Sequence, residues 1–165
     1  MLEFKRLPTF VKGSRNKQHK KMMKDILAID FCKEDRIEVM AVFDDDKTFD
    51  EAIYEATEIS TEVYVAYVDD KASAIFGYAK LKPGAILPWL LTDGTMLTHN
   101  SKYIKEVMKH ARTYISKLKG FGFPLANFVW SKHTVSLNFL THLGFIIDET
   151  GIKLKDKIFY RFYMY

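Results

Sequence analysis

The sequence predicts an α+β domain, a mixed and mostly antiparallel sheet with helices on both faces, and three observations carry that reading. Up to Ser60 the apolar residues recur at helical spacing. From Thr61 to Leu91 short runs of β-branched and aromatic residues alternate with turn residues. A long amphipathic stretch, a strand and a short helix then follow, so the order strand, helix, strand demands a crossover.

In chain order, Leu2 to Lys5 reads as a short strand. Between Gln18 and Phe31, Met22, Met23, Ile26 and Ile29 form the apolar stripe of a helix, and Lys33 to Phe43 is a second helical stretch able to continue it. Thr48 opens a third helix with Phe49, Ala52, Ile53 and Ala56 on its apolar face, and Thr48 with Glu51 forms a capping-box pattern. Val63 to Val68 has the content of a strand buried on both faces. Asp69, Asp70 and Lys71 turn the chain into a strand at Ala74 to Leu81, and Lys82, Pro83 and Gly84 turn it into another at Ile86 to Leu91. Three adjacent antiparallel strands are expected.

Tyr103, Val107, Ala111, Tyr114 and Leu118 mark the clearest helix, with Lys102, Lys105, Lys109, Arg112 and Lys117 on its outside. Gly120 and Gly122 break it before a strand at Leu125 to Trp130. Ser131 is expected to cap a short helix through Leu143, which Gly144 ends. Phe145 to Ile147 starts a further strand, and Ile158 to Tyr165 supplies the last.

A length of 165 residues suits one domain, residues 1–165. The apolar share of 48% and charged share of 28% exclude a disordered chain, a collagen repeat and a simple coiled coil. The longest apolar run, Ala85 to Leu91, contains Pro88 and falls far short of the roughly 20 residues that span a bilayer. Met1 to Phe10 mixes Glu3, Lys5, Arg6 and Pro8 with its apolar residues, the wrong chemistry for a secretory signal, so a cytoplasmic location is expected. Cys32 is the sole cysteine, which excludes an internal disulfide and a cysteine-cluster zinc site.

The net charge of +4 is mild, but it is unevenly spread. Lys12 to Lys24 holds six basic residues and no acid, whereas Asp44 to Asp70 holds ten acids and only Lys47 against them. The basic block offers a weak nucleic-acid reading that the acidic stretch opposes. No Gly-x-Ser-x-Gly, His-Glu-x-x-His or P-loop pattern occurs, so hydrolase, metalloprotease and nucleoside triphosphatase readings fall away.

The segment Asn127, Phe128, Val129, Trp130, Ser131, followed by a helix from Ser136 that ends in Leu143, Gly144 and Phe145, resembles the GCN5-related N-acetyltransferase (GNAT) superfamily over residues 60 to 147. More narrowly, Pro88, Trp89, Leu90, Leu91 and Thr92 with Asn127, Phe128, Val129 and His133 are similar to a T7-like phage family of internal virion or scaffold-associated proteins with an acetyltransferase-like fold. The resemblance implies a sheet splayed between its fourth and fifth strands, Ile86 to Leu91 and Leu125 to Trp130. The pantetheine arm of acetyl-CoA would enter the splay like an extra strand. Its pyrophosphate would sit at the amino end of the helix beginning near Asn100. The cofactor-binding residues so implied are Leu90, Leu91, Thr92, Thr98, Asn100, Ser101, Lys102, Lys105 and Asn127, with an amine or a protein partner as acceptor. His133, at a helix-start position that the family often gives to Asn, is the candidate catalytic group.

Two departures temper the chemistry. The loop Thr92 to Asn100 carries one glycine, Gly94, beside Asp93, where the family's phosphate loop is richer in small residues. Leu140 stands where many active members place a tyrosine that protonates the departing thiolate. The expected function is therefore a phage protein of acetyltransferase fold that binds acetyl-CoA weakly, with slow turnover or none, in the host cytoplasm or the virion. The alternative is a non-catalytic protein of that fold acting in virion assembly or against a host factor.

Overall fold

In the computed structural model, which describes residues 1–9, 16–98 and 100–165, the chain begins with β1 (Leu2–Arg6), α1 (Lys17–Leu27), α2 (Lys33–Val42) and α3 (Phe49–Ile59). A meander follows, β2 (Glu62–Val68), β3 (Lys71–Leu81) and β4 (Ala85–Thr92), and then α4 (Ile104–Lys119) crosses to β5 (Leu125–Trp130). The chain closes with α5 (Thr134–His142), β6 (Ile146–Leu154) and β7 (Lys157–Met164). All seven strands lie in one sheet in the order β1-β2-β3-β4-β5-β7-β6, antiparallel throughout except where the crossover makes β4 and β5 parallel. This is the α+β architecture that the sequence predicts.

Strand alternation sends apolar residues to two cores. On one face Met22, Met23 and Ile26 of α1 and Ala52 and Ile53 of α3 cover Val63, Val65, Ile75 and Leu91. On the other, Leu118 of α4 packs with Ile86, Leu125, Val129, Phe145 and Phe162, while Val107 covers Ala66 and Ala74. At Gly77 the paired strand comes so close that a Cβ would lie 2.1 Å from the Glu62 carbonyl oxygen, so only glycine fits.

Several boundaries differ from expectation, each for a tertiary reason. The first helix stops at Leu27 and α2 starts afresh, because Ile29 and Phe31 turn into the core and the Cys32 N–H is tied to the Thr92 carbonyl at the end of β4 (3.0 Å). The crossover helix starts at Ile104 rather than near Asn100, after a turn closed by Ser101 N–H on the Thr98 carbonyl (3.0 Å). His133, not Ser131, holds the N-cap position of α5, since the Ser131 N–H still belongs to the β5–β7 pairing and the helix starts only at Thr134. The Thr48–Glu51 capping box is present as the sequence indicates. Of the basic block, Lys12 and Arg15 lie outside the described residues, whereas Lys17, Lys20, Lys21 and Lys24 are exposed on α1. No helix among the described residues is long and apolar enough to cross a membrane.

Candidate functional site

The parallel strands β4 and β5 meet only at their starts, where Ile86 pairs with Leu125 and its N–H donates to the Pro124 carbonyl (3.0 Å). Beyond that point they part, and the inward backbone groups of Pro88, Thr92, Phe128 and Trp130 find partners elsewhere. On β4, Pro88 has no N–H to lose and its carbonyl accepts the Asn127 side-chain amide (3.0 Å). The Thr92 N–H donates to Asp35 Oδ2 (2.6 Å). On β5, the Phe128 N–H donates to Asn127 Oδ1 (2.8 Å) and the Trp130 N–H to Glu38 Oε1 (2.9 Å).

Helix α2 therefore lies across the open end of the gap. Asp35 and Glu38, three residues apart and so neighbours on one helical face, each terminate one of the parted strands. Because Ile86, Pro88, Leu90 and Thr92 share the β4 edge that faces β5, the N–H and C=O of Leu90 are the backbone pair directed into the gap. Pro88 is tolerated in mid-strand for the same reason: its nitrogen faces the gap and not β3.

A cavity of about 600 Å³ runs through this gap. On one side of the sheet Leu87, Trp89 and Phe128 line it with Val42 of α2, Phe43 just after it and Ile59 of α3. On the other side Pro88, Leu90 and Asn127 line it with Tyr114 of α4 and Ser136, Phe139 and Leu140 of α5. The walls are apolar apart from a few polar groups, the usual make-up of a small-molecule site.

Electrostatics concentrate at the open end. Buried Asp35 and His133 form a pair at 2.7 Å between Oδ1 and Nε2, and Ser136 Oγ lies 3.0 Å from the same nitrogen. Burial opposes charge on His133, yet the Asp35 carboxylate, Cys32 and Glu38 outweigh it and raise the imidazole to about 10. Capping of α5 through Nδ1 would need that nitrogen unprotonated, but the cap contact with Ser136 N is long at 3.4 Å and the ion pair is short. The Asp35 contact favours the charged ring, and His133 holds the N-cap position of α5 in either form. Burial pushes Glu38 up to about 7, with the His133 charge and the Trp130 N–H holding it back in part. Cys32, Asp35 and His133 offer donor atoms within 4.8 Å of one another, a set with metal-ligand chemistry, although the Asp35 oxygens are already engaged by His133 and the Thr92 N–H.

Of the residues singled out from sequence, Leu90, Leu91 and Asn127 line the cavity, while Thr92 is buried where β4 ends. Leu91 points into the core beneath α1 to α3, and Leu90 to the opposite face. Thr98, Asn100 and Ser101 form the turn before α4, with the Thr98 hydroxyl on the Thr95 carbonyl (3.3 Å) and the Tyr103 N–H on Ser101 Oγ (3.2 Å). Lys102 stands over the Tyr103 ring and 3.9 Å from Asp69, and Lys105 is exposed on the first turn of α4. His133 sits at the open end but does not line the cavity; Ser136 stands between. Sequence reasoning missed Asp35, Glu38 and Ser136. Two acids at helical spacing beside buried Val39 were the available signal.

No protein-family profile and no curated protein matches the chain. Solved structures do. An N-acetyltransferase from Staphylococcus aureus Mu50 superposes with a TM-score of 0.60 at 14% identity, covering 99% of this chain and 98% of that one. A GNAT-family acetyltransferase from Streptococcus pneumoniae gives 0.53 at 11%, covering 99% and 98%. An acetyltransferase from Bacillus subtilis in complex with CoA gives 0.50 at 15%, covering 81% and 92%. At these identities the likeness establishes the fold, which is that of the GNAT acetyltransferases. The narrower resemblance to phage virion proteins gains no support from these neighbours.

Proposed function

We propose that the chain is an acyl-CoA-dependent N-acyltransferase, and the observation that carries this is the gap between β4 and β5 with the Leu90 backbone pair facing it. An open strand edge between apolar walls suits a pantetheine arm, whose amides pair like a strand. Leu90 and Asn127 would hold that arm, Thr92 would border it, and the turn Thr98, Asn100, Ser101 with Lys102 and Lys105 would face the phosphates. Bound acyl-CoA, acetyl-CoA being the simplest case, supplies a thioester carbonyl to the attacking amine.

The chain's own residues then have three tasks. Glu38 takes the proton that the ammonium must lose, and a carboxyl near 7 is matched to that work at neutral pH. As the new C–N bond forms and the C–S bond breaks, the sulfur needs a proton. Leu140 has none to give, but Ser136 lines the cavity one helical turn earlier on the same face of α5. Its hydroxyl is the donor in this reading; the second proton, shed by the nitrogen as the amide forms, returns through water to the Ser136 oxygen, and the proton held by Glu38 passes to solvent. His133, fixed by Asp35, is the positioning residue that polarises Ser136. Alignment in the gap supplies the remainder of the rate.

A second reading has a specific observation in its favour. Leu140 at the cavity wall and a single glycine in the Thr92 to Asn100 loop suit a GNAT-fold protein that has lost turnover, the phage virion role included. Calorimetric titration with acetyl-CoA, together with free-thiol release in the presence of amines, separates the two. Binding with turnover that disappears in Glu38→Gln and Ser136→Ala supports the enzyme. Binding without turnover favours the second reading, and absence of binding overturns the proposal.

A further inference from the structure

On the α2 and α3 side, the cavity is a bay whose polar side chains can be counted. The Ser60 hydroxyl lies there, but it accepts the Trp89 Nε1–H (2.9 Å) and donates its one proton to the Ala56 carbonyl (2.7 Å), so it has no proton left for a ligand. Glu38 spends Oε1 on the Trp130 N–H, which leaves Oε2 for a ligand. The mouth is apolar as well: Val42 is 65% exposed, Ile59 63% and Phe128 41%. Large apolar side chains converging on one opening mark a binding surface rather than scattered exposure.

From this arrangement we infer that the acyl acceptor is a primary amine carried on a single apolar body, alkyl or aryl, with its ammonium at Glu38 and its body between Val42, Ile59 and Phe128. The inference rests on the N-acyltransferase reading and specifies its acceptor. One anionic group at the bottom of an apolar bay pairs with one cation, and burial of the ammonium is compensated only there. A carboxylate on the acceptor, as in an amino acid, would meet Glu38 or apolar walls with nothing to balance it. A second ammonium, as in a polyamine, would have to lose its water against Phe128 and Ile59.

The test uses the full chain and reads binding separately from turnover. Ligand-observed NMR measures phenethylamine, 2-phenylethanol, phenylalanine and spermidine, each with and without CoA, and the same amines serve as acceptors with acetyl-CoA. Phenethylamine should bind at least about 10-fold more tightly than the other three, a difference of about 1.4 kcal/mol. Glu38→Gln should erase its advantage over the alcohol. Ile59→Lys, at an exposed position where folding is not at stake, should weaken the amine and leave CoA binding unchanged. Preference for spermidine or phenylalanine, or an amine affinity indifferent to both substitutions, overturns the inference while turnover keeps the enzyme reading. If acetyl-CoA does not bind, the enzyme reading falls, and phenethylamine binding to the chain alone still decides what the bay accepts.

Discussion

Glu38 does two things that pull against each other. Its carboxylate ends β5 by accepting the Trp130 N–H, and burial raises it to about 7, so at higher pH the fold carries a charge it would be more stable without. Glu38→Gln keeps the acceptor oxygen and removes the charge. It is expected to stabilise the protein at pH 8 by about 1–3 kcal/mol in urea denaturation while abolishing acyl transfer. An unchanged midpoint would mean that the carboxyl is solvated and unfit as a base. Leu140 offers the converse change. In Leu140→Tyr a phenol enters the cavity wall where a proton is needed, and turnover is expected to rise by about 10-fold or more if sulfur protonation limits the rate. Equal rates in both proteins would show that the leaving sulfur is already served by Ser136.

At the scale of elements, α2 is the strut of the site, and it is held at both ends from outside. Its amino-terminal half is fixed by Asp35 to His133 and Thr92. At its carboxyl end, Lys155 in the turn between β6 and β7 donates from Nζ to the Met40 and Phe43 carbonyls (2.7 and 2.9 Å) and pairs with Asp45 (2.6 Å). A cation at the carbonyl end of a helix is favourable, yet an exposed one contributes little to global stability, about 1 kcal/mol or less. Lys155→Ala should therefore leave the melting midpoint nearly unchanged but speed amide exchange at the end of α2 and loosen the bay beside Val42 and Phe43. A large fall in stability with unaltered exchange there would contradict this view of the turn as a local clamp.

For the molecule as a whole, pH acts through the buried pair of charged sites. Raised His133 contributes stability that is complete below its unfolded value near 6.5 and is lost as pH climbs through about 10. Raised Glu38 is an acid, so the folded state holds its proton more tightly, and stability falls as pH rises from its ordinary value of 4.5 to about 7. Both signs agree: the midpoint in urea should decline steadily from about pH 5 to pH 10. The double variant Glu38→Gln, His133→Asn should flatten that slope, and an unaltered slope would place its origin elsewhere. Salt probes the cofactor end. With Lys102 and Lys105 as point charges and one glycine in the preceding loop, acetyl-CoA affinity should be modest and fall between low and high ionic strength. Tight binding insensitive to salt would mean that the turn at Thr98 to Ser101 cradles phosphate through its amides.

Which segments become strands and helices was legible from the chain alone, because the unbroken β-branched and aromatic run Val63 to Val68 and the three-to-four spacing in Tyr103 to Leu118 are local properties. The crossover into Leu125 to Trp130 further implied a parallel pair, and the resemblance to the GNAT superfamily implied the splay between its strands. Helix ends were less legible. The break after Leu27 depends on Cys32 meeting Thr92 across the fold, and the late start of α5 at Thr134 follows pairing to β7 that continues through the Ser131 N–H. The site was partly legible, since Leu90 and Asn127 lie on strands whose edge is left unpaired by Pro88 and the crossover. Glu38 and Asp35 were less so, because their helical spacing was the only local signal and it does not separate them from Glu34, the third acid of α2. Only the tertiary structure, by parting two strands and leaving their amides to be satisfied by whatever helix lies across the opening, turned those two carboxylates into the buried charges of the site.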